Sequence, residues 1–376
     1  MWGEHSMQKD RLGGMAIVVI GVALLAACGP DNNATFDVKA TVETAPTTLA
    51  QTDVPTSIAA TSTARAAATA ALDATVAAGA TAQPAATGVP TTTTSLTNAT
   101  SSSGTTIKVV TTMSVLADMI RNVGGERVVV DNIIPLGAGP EDFQPVPQDA
   151  QKIASADIVF YNGLGLEDWL QPLFQSAGKA DQPRVTVTEG LTPIDVGSDD
   201  FKQGNPHLWM SAANGVTYVE NIRAGLAEVD PAGVAVYKAN ADRYTKQLLA
   251  LDGELKQQAQ GIPAERRKLV TNHDAFPYFA QQYGFTIVGS ILGNPAAEPS
   301  AGDLAKLIID IKAQNVKAVF TESQFSQKLT ESIIKDAGVQ AVANLYTDTL
   351  GDPNSGVASY ADMLRYDMKT IVGALK

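Results

Sequence analysis

Between positions 230 and 260, apolar side chains recur at alternating spacings of three and four: Val234, Tyr237, Ala241, Tyr244, Leu248, Leu251 and Leu255. That period places them on one face of a single helix. Lys238, Asp242, Arg243, Lys246, Asp252, Glu254 and Lys256 fall mostly elsewhere and are expected in water. Pro231 suits a first helical turn, and Asp230 before it is a candidate N-cap. Gly261-Ile-Pro263 should end the helix. At ~1.5 Å per residue the helix is roughly 40 Å long, about the span of a small domain.

On either side of this helix, short β-branched runs alternate with helical periods. Before it, strands are predicted at 107–112, 128–136, 157–163 and 185–188, with helices at 115–123, 150–156 and 167–175 and another starting near Ser211. After it, strands are predicted at 268–272, 286–292, 317–322 and 339–346. The matching helices are 274–284, 299–315, 329–337 and 359–375. Such alternation argues for parallel sheets covered by helices. The predicted fold is therefore α/β, with two βα lobes (107–229 and 262–376) joined by one long rigid helix (230–261) and a ligand cleft between the lobes. In parallel sheets ligands gather beyond the carboxyl ends of the strands, so the loops following the strands carry the candidate chemistry.

The beginning of the chain has a different pattern. Lys9 and Arg11 precede the uncharged stretch 14–27, which is too short for the ~20 residues of a bilayer span. It ends in Leu25-Ala-Ala-Cys28, and Cys28 is the only cysteine in the chain. The sequence resembles a bacterial lipobox, which implies a signal peptide at 1–27 and lipid attachment at Cys28. From 28 to 106 the chain is rich in Ala, Thr and Ser and poor in aromatics. It reads as a flexible tether with an r.m.s. span of roughly 50 Å. One cysteine excludes a disulfide framework and any multi-cysteine metal site. The net charge of −12, with no basic cluster, argues against a nucleic-acid partner.

Outside the leader there are two histidines, His207 before the long helix and His273 after it. Each lobe thus offers strand-end loops carrying one histidine and one or more carboxylates: Glu141 or Asp142 with His207, and His273 with Asp348. Imidazole and carboxylate together suit a divalent first-row cation such as Mn²⁺ or Zn²⁺. On spacing alone, four unrelated loop residues fit equally well. No His-Glu-x-x-His or Gly-x-Ser-x-Gly motif is present to suggest a hydrolase.

Several blocks, in order, resemble the zinc/manganese-type solute-binding lipoproteins of ABC importers. Pro140-Glu-Asp-Phe-Gln-Pro-Val-Pro-Gln-Asp149 is similar to the family's Pro-His-x-Tyr-x-Pro-x-Pro-x-Asp loop. Tyr161-Asn-Gly-Leu-Gly-Leu-Glu-Asp-Trp169 is similar to its Asn-Gly-Leu-x-Leu-Glu stretch. Asn205-Pro-His-Leu-Trp209 resembles Asp-Pro-His-x-Trp, and His273-Asp-Ala-Phe-Pro-Tyr-Phe279 resembles His-x-Ala-Phe-x-Tyr. Phe320-Thr-Glu-Ser323 and Tyr346-Thr-Asp348 match later blocks.

The resemblance covers 107–376 and implies two βα lobes bridged by one helix. It implies capture of a metal outside the cell and delivery to a membrane permease driven by an ATPase, without catalysis. It places His207, His273 and Asp348 on ligand positions. Glu141 stands where the family usually has its first histidine, giving an expected Glu141, His207, His273, Asp348 set, with Asp142 or water as alternatives at the first position. Two histidines with two carboxylates favour Mn²⁺, with Zn²⁺ close behind. The implied protein is an extracytoplasmic, lipid-anchored monomer. Rival readings are a metal-dependent extracytoplasmic hydrolase, a haem- or chelate-binding lipoprotein, and an adhesion lipoprotein of the same architecture.

Overall fold

In the computed structural model, residues 106–195, 202–293, 299–325 and 327–376 are described, all within the unit Leu96–Lys376. The expected signal peptide, Cys28 and nearly all of the tether lie outside the described residues. Among the described residues no helix is long and apolar enough to cross a membrane.

The first half alternates as expected. Strand β1 (Ile107–Thr111) leads into α1 (Ser114–Gly124) and β2 (Val128–Asn132). There follow α2 (Pro147–Ser155), β3 (Ile158–Tyr161), α3 (Leu170–Ala177), β4 (Arg184–Thr186) and α4 (Ala212–Val229). The strands pair in parallel in the order β2-β1-β3-β4. Val109, Ile158 and Phe160 of the central strands are fully covered, as strands with helices on both faces must be.

The long helix begins later than its pattern suggested. Pro231–Gly233 forms one 3₁₀ turn, and α5 runs Val234–Gln260. Tyr237, Ala241, Tyr244, Leu248, Leu251 and Leu255 are buried on one face, whereas Val234 at the first turn is exposed. Asp252, expected in water, is buried between Lys256 and Gln282. Asp230 does not cap the helix through its side chain. Its carboxylate instead accepts from Arg127 Nε and Nη2 at 2.7 and 2.9 Å and from the Tyr237 hydroxyl at 2.6 Å. A guanidinium reached through two parallel bonds outcompetes one backbone amide for that carboxylate.

The second half contains β5 (Lys268–Thr271), α6 (Pro277–Tyr283), β6 (Thr286–Ser290), α7 (Ala301–Ala313), β7 (Ala318–Glu322), α8 (Gln327–Ala337), β8 (Gln340–Leu345) and α9 (Tyr360–Leu375). Helix α6 starts three residues later than predicted, with Pro277 in its first turn. The strands pair in parallel, as the alternation predicts, in two ladders, β5-β6 and β7-β8. Strands β5 and β7 lie side by side and are linked at their carboxyl ends by side chains. The Glu322 amide donates to Asn272 Oδ1 (2.8 Å), and the Asn272 amide donates to Glu322 Oε1 (2.9 Å).

Helix α5 packs against α1 and α4 of the first half and against α6 and α9 of the second. One continuous apolar cluster runs through both halves, from Val109 and Phe160 to Phe279 and Ile371. Helix α9 makes a second bridge. The Tyr360 hydroxyl donates to the backbone carbonyls of Trp209 and Ser211, and the Tyr360 amide donates to Asp118. The two halves are thus held by helices on their shared flank, and their strand-end loops face each other above.

Candidate metal centre

Each candidate ligand is delivered by a loop that the sequence stiffens. Glu141 follows β2 on a proline-rich loop. The Trp169 indole donates to the Pro140 carbonyl (3.0 Å), and the Phe143 and Trp169 rings meet at 4.9 Å. At the near end of the loop, the Gly137 amide donates to Thr349 Oγ1 (3.0 Å) in the second half. Gly137 has φ +84°, a conformation that favours glycine.

His207 sits in an Asx turn. Asn205 Oδ1 accepts the His207 amide at 3.0 Å, and His207 Nδ1 lies 3.1 Å from the same oxygen. The Asn205 amide nitrogen is turned the other way, donating to the Asp274 carbonyl across the cleft at 2.6 Å. That orientation makes Oδ1 the acceptor, so His207 Nδ1 carries a proton and Nε2 presents its lone pair.

His273 lies two residues past β5. Its Nδ1 is 2.6 Å from Glu322 Oε2, and both side chains are fully buried. Asp348 follows β8. The preceding Thr347 carbonyl accepts from the Trp209 indole (2.8 Å), and Gln324 Nε2 donates to Asp348 Oδ2 (2.8 Å).

The four side chains meet. Glu141, His207, His273 and Asp348 each offer one ligand atom, and these atoms all lie within 4.8 Å of one another. Glu141 Oε1 is 3.0 Å from His207 Nε2, His207 Nε2 is 3.2 Å from His273 Nε2, and His273 Nε2 is 3.3 Å from Asp348 Oδ2. The pairs Glu141–His273 and Asp348–His207 are each at 3.7 Å. Four ligands at ~2.0–2.2 Å from one tetrahedral ion would be separated by roughly 3.4 Å. Glu141 Oε2 and Asp348 Oδ1 are buried and accept no hydrogen bond, an expensive arrangement unless a cation takes them. The donor set therefore fits a divalent ion. Asp142, the alternative at the first position, is exposed and outside this group.

Electrostatics favour a positive charge here. Burial pulls the His273 imidazole down, but the adjoining Glu322 and Asp348 carboxylates outweigh it and hold it well above its usual range. The surroundings of His273 thus favour positive charge.

Several supporting residues had no assigned role in the sequence reading. Asn205, Glu322, Thr347 and Gln324 hold the candidate ligands, and Asn162 and Glu167 hold the His207 loop from below. Asn162 Nδ2 donates to the Pro206 carbonyl (3.0 Å), and its Oδ1 accepts from Tyr218 (2.7 Å). Glu167 accepts the Thr112 hydroxyl (2.8 Å) and the Asn162 and Gly163 amides (both 2.9 Å). Burial pushes the Glu167 carboxyl up to about 7, against the pull of those donors. The motif blocks containing these residues were visible in the sequence. Which polar side chains would be buried, and against what, was not.

The family model described as "Zinc-uptake complex component A periplasmic" (ZnuA) matches residues 109–374. The chain belongs to this family. It is 36% identical over 260 residues to the manganese-binding lipoprotein MntA of Halalkalibacterium halodurans, covering 69% of this chain and 85% of the relative. It is 37% identical over 258 residues to the iron-binding protein YfeA of Yersinia pestis, covering 68% and 82%. Among solved structures, the periplasmic zinc binding protein TroA from Treponema pallidum superposes with a TM-score of 0.67 at 29% identity, covering 72% of this chain and 99% of TroA. Membership agrees with the two βα halves, the connecting helix α5 and the convergence of strand-end loops. The names of these relatives specify manganese, iron and zinc, so membership leaves the choice among first-row ions to the ligands themselves.

Proposed function

We propose that this chain is an extracytoplasmic receptor that captures Mn²⁺ or Zn²⁺ and hands it to an ABC import permease. The observation that carries the reading is the convergence of Glu141, His207, His273 and Asp348, two from each half, on one buried point. Two carboxylates offset the charge of a divalent ion, and two neutral imidazoles complete the set. Oxygen-rich ligation with spare carboxylate oxygens suits Mn²⁺, which accepts more than four donors. Zn²⁺ stands higher in the intrinsic affinity order and binds the same atoms.

Capture proceeds without catalysis in this reading. All four donors face inward and the histidines are fully buried, so a metal-bound water with room for a substrate is not what the geometry favours. Helices α5 and α9, which clasp both halves, limit wide opening. Release then works through the strand-end loops, on contact with the permease and its ATPase. Cys28 is the lipid attachment point, and 28–106 is the tether that lets a monomeric head reach the permease.

The test is the unfolding temperature of the chelator-stripped full chain against free Mn²⁺, Zn²⁺, Mg²⁺ and Ca²⁺. A ligand bound only by the folded state adds about 2.7 kcal/mol at 100 times its dissociation constant. Large shifts with Mn²⁺ and Zn²⁺ but not with Mg²⁺ or Ca²⁺ are expected. No shift with any of the four would sink the receptor reading.

A further inference from the structure

The geometry points to Glu322 as a positioning residue that fixes the proton of His273 on Nδ1 and so turns Nε2 into a metal ligand. This rests on His273 being a ligand, as proposed above. Glu322 ends β7 and is only 1% exposed. A buried carboxylate is costly unless every lone pair meets a donor, and here the donors surround it. Oε1 accepts the backbone amides of Asn272 (2.9 Å) and His273 (3.0 Å). Oε2 accepts the Thr347 hydroxyl (2.9 Å) and lies 2.6 Å from His273 Nδ1. Glu322 therefore holds the backbone of His273 by a hydrogen bond and sets a carboxylate oxygen against the ring at Nδ1.

The consequence follows from proton counting. A carboxylate offers only acceptors, so the nitrogen facing it must be the one bearing hydrogen. In neutral imidazole the other nitrogen then carries the lone pair, and here that is Nε2, which faces Glu141 and Asp348. A glutamine at 322 has almost the same shape but reverses this logic. Its oxygen can keep the two backbone amides. Its NH₂ then faces His273 Nδ1, which must accept, and the proton moves to Nε2, where it blocks the metal. His207 reaches the same tautomer by a different route, through the neutral Asn205 amide. The chain thus sets one histidine with a charged acceptor and the other with an uncharged one.

The chain has three histidines, so ¹⁵N spectra of its imidazoles can be assigned by substituting one histidine at a time. In the Zn²⁺-loaded full chain, His273 should show a protonated Nδ1 and a metal-bound Nε2. E322Q should remain folded and bind Zn²⁺ about 10- to 100-fold more weakly in a chelator competition. In a His273→Ala background, the same substitution should change the affinity less than about twofold, because its effect runs through His273. An equal loss in both backgrounds would show a general structural role and overturn the proposal, as would wild-type affinity in E322Q. If E322Q fails to fold, the wild-type spectrum still decides: a proton on Nε2, or metal on Nδ1, overturns it. A wild-type chain that takes up no zinc would overturn the metal site itself and this proposal with it.

Discussion

His207 and His273 come from opposite halves of the chain, yet their Nε2 atoms lie 3.2 Å apart. Two imidazole lone pairs at that distance repel unless a positive charge lies on or between them. With Glu141 Oε1 and Asp348 Oδ2 at 3.0 and 3.3 Å from these nitrogens, a proton in the metal-free protein, or a cation bound as proposed above, would relieve that repulsion.

Glu141 is where metal preference should be adjustable. Replacing it by alanine leaves three donors and should reduce the thermal shift given by both Mn²⁺ and Zn²⁺. Glu141→His adds a softer nitrogen donor and removes one negative charge. It should move the ratio of dissociation constants toward Zn²⁺ by at least about tenfold, or 1.4 kcal/mol. Competition titrations with the two ions check this, and an unchanged ratio would remove Glu141 from the ligand set.

Metal uptake should release protons. Glu322 and Asp348 hold the His273 imidazole above its ordinary range despite its burial, so it remains protonated around neutrality until a cation displaces the proton. Affinity should therefore rise with pH through the neutral range. Calorimetry in buffers of different ionisation enthalpy reads the proton count directly. Zero protons released at neutral pH is the contrary result.

Glu167 gives a separate pH dependence, in stability. Its folded value of about 7 lies above the ~4.3 of an unfolded glutamate. The folded state therefore binds the extra proton between those values. The contribution is complete below about 4.3 and is lost as pH rises through 7. Stability of the metal-free protein should fall across that window, and E167Q should flatten the slope. The variant should also lose stability at the acid end, because its NH₂ cannot accept the hydrogen bonds that Glu167 receives. Urea unfolding at several pH values checks both effects.

Two helical glycines should respond to alanine in opposite directions. A methyl group on Gly225 in α4 would come within 2.8 Å of Val185 and 3.0 Å of Phe160, whereas nothing lies within 4 Å of one on Gly253 in α5. G253A should stabilise by about 0.5–1 kcal/mol through helix propensity. G225A should destabilise by about 1–3 kcal/mol through overpacking, partly offset by the same propensity. Denaturant midpoints decide, and stabilisation by G225A would contradict the close packing of α4 on the sheet.

Cys28→Ser should abolish the signal cleavage and lipid attachment proposed above. Metabolic labelling with a radioactive fatty acid should mark the wild-type protein and not the variant. Equal labelling of both would place the anchor elsewhere.

The α5 pattern shows what one-dimensional information can carry. A repeat of three and four from Tyr237 to Leu255 was enough to predict a single buried face, because helical periodicity is local. The same local logic yielded the alternating strands and helices, and the quoted motif blocks supplied the family. The details it missed were decided over distance. Asp230 serves Arg127 instead of capping a helix, because Arg127 is brought beside it from 103 residues away. Asp252 is buried because Gln282 and Lys256 cover it.

The site divides in the same way. The types of donor, and their positions after strands, could be read from the sequence. That Glu141 and not Asp142 turns inward could not, because adjacent carboxylates on a loop are chemically equivalent until the loop is pinned. Trp169, Thr349 and the close approach of the two halves pin it. Nor could the sequence assign Asn205 and Glu322, which select the nitrogen each histidine presents. A tautomer depends on which acceptor lies within hydrogen-bond reach of a ring, and that contact exists only once both halves have folded onto α5 and α9.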